Sequence, residues 1–154
     1  MSEHKAHIEW TFAGGDFAKG RYSREHTWQF DGGLSVPASP SPTVVPAPYS
    51  NPANVDPEEA FVASIASCHM LTFLYVAYKG GFAVQSYQDD AVGVMTKGEN
   101  GVPWISAVTL RPRIQYAGAA PDREREAKLH QDAHHGCFIS NSVKTNISVD
   151  SPTD

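Results

Sequence analysis

Two cysteines, Cys68 and Cys137, are the residues of this chain best suited to do chemistry. A thiol is a nucleophile only as its thiolate, and an unperturbed thiol is mostly protonated at neutral pH. Reactivity at either sulfur therefore requires a cation or hydrogen-bond donors beside it. Two readings are open. The pair are inert thiols filling the core, as buried free cysteines often do, or they are a redox couple. A disulfide needs Cα atoms roughly 4.4–6.8 Å apart, and sequence spacing does not supply that distance.

Cys68 sits in Ser67-Cys68-His69-Met70. Helical spacing puts Ser64 and Thr72 one turn to either side, where their hydroxyls are expected to donate to the sulfur. His69 lies about 100° round the helix and need not touch it. Cys137 follows Gly136 at the end of a second helix.

The nearest cations in type and pattern are two arginines on a segment read as a strand from Arg21 to Phe30. Strand alternation puts Arg21 with Ser23, Glu25, Thr27 and Gln29 on a polar face. It puts Arg24 with Tyr22, His26, Trp28 and Phe30, facing inward. A buried guanidinium needs an acidic or thiolate partner, so Arg24 is the candidate rather than Arg21. The plainer alternative is an edge arginine paired in solvent with Glu25 or Asp31.

Glu58 and Glu59 open the long helix, where acidic residues are favoured on electrostatic grounds alone. Glu58 precedes Cys68 by ten positions, a rise of roughly 15 Å. It can share a site with Cys68 only through an intermediary arginine or a second subunit. His130 and His134 form a helical i, i+4 pair that could hold zinc with Cys137 or His69. No HExxH or CxxC motif accompanies them, and this metal reading ranks below the thiol reading. No metal or organic cofactor is expected.

The elements that must position these residues can be read in order. Ile8, Trp10 and Phe12 alternate with His7, Glu9 and Thr11, and Gly14-Gly15-Asp16 supplies a turn. The strand at Arg21–Phe30 follows, then Asp31-Gly32-Gly33 and a third strand at Leu34–Ala38. Residues 39–57 hold six prolines and read as a long loop, functional or a surface arm.

A helix opens with Asp56 as N-cap, Pro57 at its first position and Glu59 completing a capping box. Gly80-Gly81 ends it. Its middle is apolar nearly all round, which predicts a central helix covered on most sides. Strands at Ala83–Met95 and Trp104–Tyr116 follow, and Pro112 hints at an edge or bulge. A charged helix from Pro121-Asp122 to about His135 and a strand from Val143 to Val149 complete the order. Such segregation predicts an α+β fold with antiparallel sheets.

The 154 residues fit a single domain over positions 1–154. A net charge of -5 without a basic patch argues against nucleic acid as a partner. The polar start, MSEHKAHIEW, lacks the pattern of a secretory signal. The longest apolar run, Met70–Ala77, reads as too short to span a bilayer. A cytoplasmic location without membrane association is the expectation.

At Asp56-Pro57-Glu58-Glu59-Ala60-Phe61, Ala63-Ser64 and Ala66-Ser67-Cys68, the chain resembles the OsmC/Ohr family of osmotically inducible and organic hydroperoxide resistance proteins. Ala133-His134 and Cys137–Ser142 (CFISNS) resemble its second cysteine motif. Gly81–Gly93 and Val108–Pro112 fit its central strands. The resemblance implies an OsmC-like fold: an intertwined homodimer with two long helices packed between sheets from both subunits, and a site at the interface.

The resemblance also implies a thiol-dependent peroxidase acting on hydroperoxides. Cys68 would be peroxidatic and Cys137 resolving, with an Arg/Glu pair lowering the thiolate pKa and an external, lipoyl-type dithiol as reductant. Glu58 matches the acidic position. Ohr-type proteins carry the arginine in the first hairpin turn, where this chain has Asp16-Phe17-Ala18-Lys19. Arg24 takes its place here, as in a divergent OsmC-like branch. A fold retained for binding a small apolar ligand without turnover is the alternative.

Overall fold

A computed structural model of the chain describes residues 1–151. Its contacts gather into two compact units, Met1–Ala60 and Phe61–Asp154.

The first unit is a three-stranded antiparallel sheet in the order β1 (Ala6–Glu9), β2 (His26–Phe30), β3 (Ser35–Ala38). Ile8 stands opposite Trp28, and Trp28 opposite Val36, so one face carries the apolar side chains. β2 begins at His26 rather than at Arg21. The reason lies in the preceding turn, where Asp16 and Arg21 form an isolated bridge around Gly15. Gly15 has φ +103°, and a Cβ there would lie 2.1 Å from the Arg21 carbonyl oxygen, so only glycine closes this turn. Trp10 and Phe12 leave β1 early to join an aromatic cluster. Phe17 stacks on Tyr22 at 4.5 Å, and Trp10 meets Tyr22 edge-on at 5.6 Å.

Residues 39–56 form no helix or strand, yet they are tethered. Val55 bridges Ala38, and the Asn51 amide donates to the buried Ser39 hydroxyl at 2.8 Å. Glu25 accepts from the side-chain amides of Asn51 (2.8 Å) and Asn54 (3.2 Å).

Helix α1 (Pro57–Lys79) starts in the first unit and forms the spine of the second. Its capping box is complete: Glu59 N–H donates to Asp56 Oδ1 at 2.7 Å, and Asp56 N–H donates to Glu59 Oε2 at 3.2 Å.

In the second unit, the two long strands expected at Ala83–Met95 and Trp104–Tyr116 each break in two. They become β4 (Val84–Asp89), β5 (Val92–Lys97), β6 (Pro103–Leu110) and β7 (Pro112–Tyr116). β4 pairs with β7, while β5, β6 and β8 (Asn146–Val149) form a separate sheet. The break falls at Arg111-Pro112, where the Arg111 amide donates to Asp89 Oδ1 at 2.7 Å instead of to a neighbouring strand, and Pro112 has no amide to donate. Pairings are antiparallel except β6 with β8, which is parallel. Helix α2 (Arg123–Gly136) is capped by Asp122, whose side chain accepts from the Arg125 amide.

α1 buries one stripe, Ile65, His69, Phe73 and Ala77, each one turn from the next. Phe73 and Ala77 pack with Leu129 and Ala133 of α2 and with Val84, Tyr87 and Ile114 of the two-stranded sheet. Ile65 packs with Val108 and Leu110 of β6, flanked by Ile105, Ile147 and Val149. Each large apolar side chain so buried stabilises the fold by about 1.5–3 kcal/mol. Gly93 permits the close approach of α1 to the sheet, since a Cβ there would lie 2.5 Å from Val62 Cγ2.

The helix is not covered on most sides within this chain, contrary to the expectation from its composition. Leu71 (59% exposed), Tyr75 (58%) and Tyr78 (71%) leave an apolar face open. The expectation that no apolar run could span a bilayer also needs correction. With 23 residues and a mean hydropathy of 1.7 over its most apolar stretch, α1 is long and apolar enough by length and composition. The reading from Met70–Ala77 counted an uninterrupted run and missed the small residues and single polar positions that precede it. His69, at the centre of the helix, is nevertheless buried against α2 and hydrogen-bonded there.

Candidate functional site

The second unit brings the two cysteines together. Cys68 lies at mid-α1 and Cys137 at the C-cap of α2, where the Cys137 amide donates to the His134 carbonyl. Both are free thiols, near enough that each shifts the other's ionisation. Cys137 is fully buried and Cys68 half-buried. After Cys137 the chain winds into a short 3-10 turn, Ser140–Ser142, held by Asn141 N–H to Cys137 O and Ser142 N–H to Ile139 O. This winding points backbone amides at the sulfurs, and Ser140 N–H reaches Cys137 Sγ at 3.4 Å.

The electrostatics within this unit favour charge on Cys137 first. Burial opposes its ionisation. The Cys68 thiol as donor, Ser140, and the Ser140 and Ile139 amides outweigh that and bring its pKa below the ordinary value. Burial raises Cys68, and so do the neighbouring Cys137 thiol and its charge. The amides of Ile139 and Phe138 pull the other way and do not prevail. The expected donors to Cys68 do other work: Ser64 Oγ donates to the Phe61 carbonyl and Thr72 Oγ1 to the Cys68 carbonyl, both within their own helix. The amides that replace them were missed by reasoning from helical spacing. The signal available was Gly136-Cys137, a helix end whose following residues must turn sharply.

Arg24 and Glu58 belong to the first unit. Arg24 is half-buried and Arg21 exposed, but neither lies in a strand, and Ser23, expected on the outer face, is half-buried as well. The Arg24 guanidinium donates to the carbonyls of Gly20 (3.0 Å) and Tyr22 (2.7 Å), and lies 3.9 Å over the Tyr22 ring. Among the described residues Arg24 forms no ion pair, with Glu25, Asp31 or Glu58. Glu25 is occupied by Asn51 and Asn54. Glu58 Oε2 is buried and has no hydrogen-bond partner among the described residues.

Among the described residues the histidines do not assemble a metal site. His69 Nε2 lies 3.0 Å from His130 Nδ1, so these two rings face each other. Among the described residues no three His, Cys, Asp or Glu side chains are grouped to hold a metal.

The family model described as OsmC-like protein matches residues 50–151. An OsmC-like protein of unknown function from Vibrio cholerae has a solved structure 47% identical in sequence; the match covers 99% of this chain and all of that one, with a TM-score of 0.95. An organic hydroperoxide resistance protein from Elizabethkingia anophelis superposes with a TM-score of 0.72 at 20% identity, over 98% of this chain and 94% of that one. One from Legionella pneumophila does so with a TM-score of 0.69 at 18% identity, over 98% and 96%. At those identities the last two show the shared fold alone. No curated protein matches the chain. The paired cysteines thus sit on a fold and in a sequence pattern that place this chain in the OsmC-like protein family.

Proposed function

We propose that the chain is a thiol-dependent peroxidase that reduces organic, and also inorganic, hydroperoxides through a Cys68–Cys137 disulfide. The observation that carries the reading is the meeting of two free thiols beside the amides of the Phe138–Ser140 turn. Inert core thiols have no need of one another, whereas a sulfenic acid at one sulfur requires the other within bonding reach.

In the proposed cycle the Cys68 thiolate attacks the distal oxygen of the hydroperoxide. The O–O bond breaks, sulfur takes the hydroxyl as a sulfenic acid, and the alkoxide leaves to be protonated to the alcohol. The Cys137 thiol displaces water from the sulfenic acid and forms the disulfide. An external dithiol, of lipoyl type, then returns two electrons and two protons by thiol–disulfide exchange.

Cys68 needs help to ionise before Cys137, and we assign that task to Arg24, with Glu58 as the carboxylate that orients it. Two features support the assignment. Among the described residues, the Arg24 guanidinium donates only to carbonyls and pairs with no carboxylate, and Glu58 holds a buried oxygen with no hydrogen-bond donor. A homodimer is part of this reading, supported by the open apolar face of α1. So is a cytoplasmic location, where reduced thiols are maintained.

The test is a thiol count on reduced protein after cumene hydroperoxide. Two thiols lost per chain are expected, with Cys137→Ser stopping at a dimedone-reactive sulfenic acid. Peroxide consumption by Cys68→Ser equal to that of the native protein would refute the assignment.

A further inference from the structure

The second unit contains a buried polar contact that the thiol chemistry does not use. His69, the residue after Cys68, is 0% exposed, and His130 of α2 is 4% exposed. Their rings stack at 5.3 Å with an interplanar angle of 10°, and His69 Nε2 meets His130 Nδ1 at 3.0 Å. The Phe73 ring covers His130 at 4.4 Å. The outer nitrogens, His69 Nδ1 and His130 Nε2, are buried without partners among the described residues.

A core selected for stability alone would not keep this arrangement. Each unpartnered buried nitrogen loses its hydration without compensation, and apolar replacement of a buried polar pair is often neutral or stabilising. The well-attested return on such a cost is register. The apolar packing of α1 on α2 centres on Phe73 and Ala77 against Leu129 and Ala133. That contact is non-directional and tolerates sliding, whereas a hydrogen bond between two rigid rings does not.

The placement matters for the sulfurs. Cys137, the C-cap of α2, lies seven positions after His130, two helical turns, so both fall on the same face. His69 is the immediate neighbour of Cys68. A slip of one residue moves a helix by about 1.5 Å, enough to carry the sulfurs out of a geometry as narrow as a disulfide requires.

We propose that the His69–His130 pair is a positioning device that fixes the register of α2 on α1 and so holds Cys137 against Cys68. The inference rests on the thiol couple of the preceding section, but not on peroxide being its substrate. The experiment is therefore an equilibrium against glutathione. The two protein thiols are oxidised to the Cys68–Cys137 disulfide as one glutathione disulfide is reduced to two glutathiones. The equilibrium constant is measured for the native chain, His69→Leu/His130→Leu and His130→Gln, with melting temperatures alongside.

The expected result is a double variant that melts no lower than the native chain while its equilibrium constant falls about tenfold, a potential about 30 mV less negative. His130→Gln, which keeps a donor and acceptor, should recover most of that loss. An unchanged equilibrium constant in the double variant overturns the proposal and leaves the thiol couple standing. If the double variant does not fold, His130→Ala decides, and an unchanged constant there overturns it equally. A native chain that forms no disulfide at any glutathione ratio overturns both readings.

Discussion

At the scale of single residues, the decisive quantity is which sulfur ionises first. Within the second unit that is Cys137, because more donors face it than face Cys68. If Arg24 supplies the missing charge to Cys68, then Arg24→Met should slow peroxide reduction by about 10²–10³-fold, by analogy with losing one well-placed electrostatic group. It should also move the alkylation of Cys68 to higher pH, as read in a Cys137→Ser background. Arg24→Lys should not restore the rate, because an ammonium does not reproduce a stacked, forked guanidinium.

The buried histidines give a second residue-scale prediction. Burial holds both near a pKa of about 4, against an ordinary 6.5, and the charge of His134 adds to the effect on His69. The unfolded chain therefore takes up protons that the folded chain refuses between these values. The stability the pair allows is complete above pH 6.5, falls as pH drops towards 4, and changes no further below that. Melting temperatures across this window should show a slope that His69→Leu/His130→Leu flattens. The helix carrying Cys68, the helix end at Cys137 and the acidic helix start were legible from residue type and spacing; the setting of Arg24 was not, because its segment is a turn and not a strand. The histidine contact was not, because a His on an otherwise apolar stripe gives no sign of its partner on another helix.

At the scale of elements, caps and glycines carry the positioning. Asp56→Ala removes the capping box of α1 and should lower stability by about 1 kcal/mol in a denaturant titration. Gly93→Ala forces a methyl to within 2.5 Å of Val62 and should cost about 1–3 kcal/mol through overpacking. Both elements were foreseeable in outline: the Asp-Pro-Glu-Glu start and Gly80-Gly81 end bracket α1 correctly. The strands were harder. Alternation continues through Asp90-Ala91 and up to Pro112 without a gap, so the periodicity reads as two long strands. The break is set by Asp89 capturing the Arg111 amide, a contact across the hairpin that periodicity does not encode. The parallel placement of β8 beside β6 is likewise a matter of topology and leaves no mark on the alternation of either strand.

At the scale of the whole molecule, the open face of α1 is the dominant feature. A stripe of Leu71, Tyr75 and Tyr78 on the principal helix needs an occupant, and a second copy of the chain is the one we propose. Tyr75→Arg should convert a dimer to a monomer by sedimentation. A consequence for thermodynamics follows from the same stripe. If the helix finishes its burial only against another copy, then mass action enters the folding equilibrium, and the chain has no melting temperature of its own. Each tenfold dilution should remove about 1.4 kcal/mol of apparent stability from the associated state. Whether the thiols stay apposed would then depend on how much protein the solution holds.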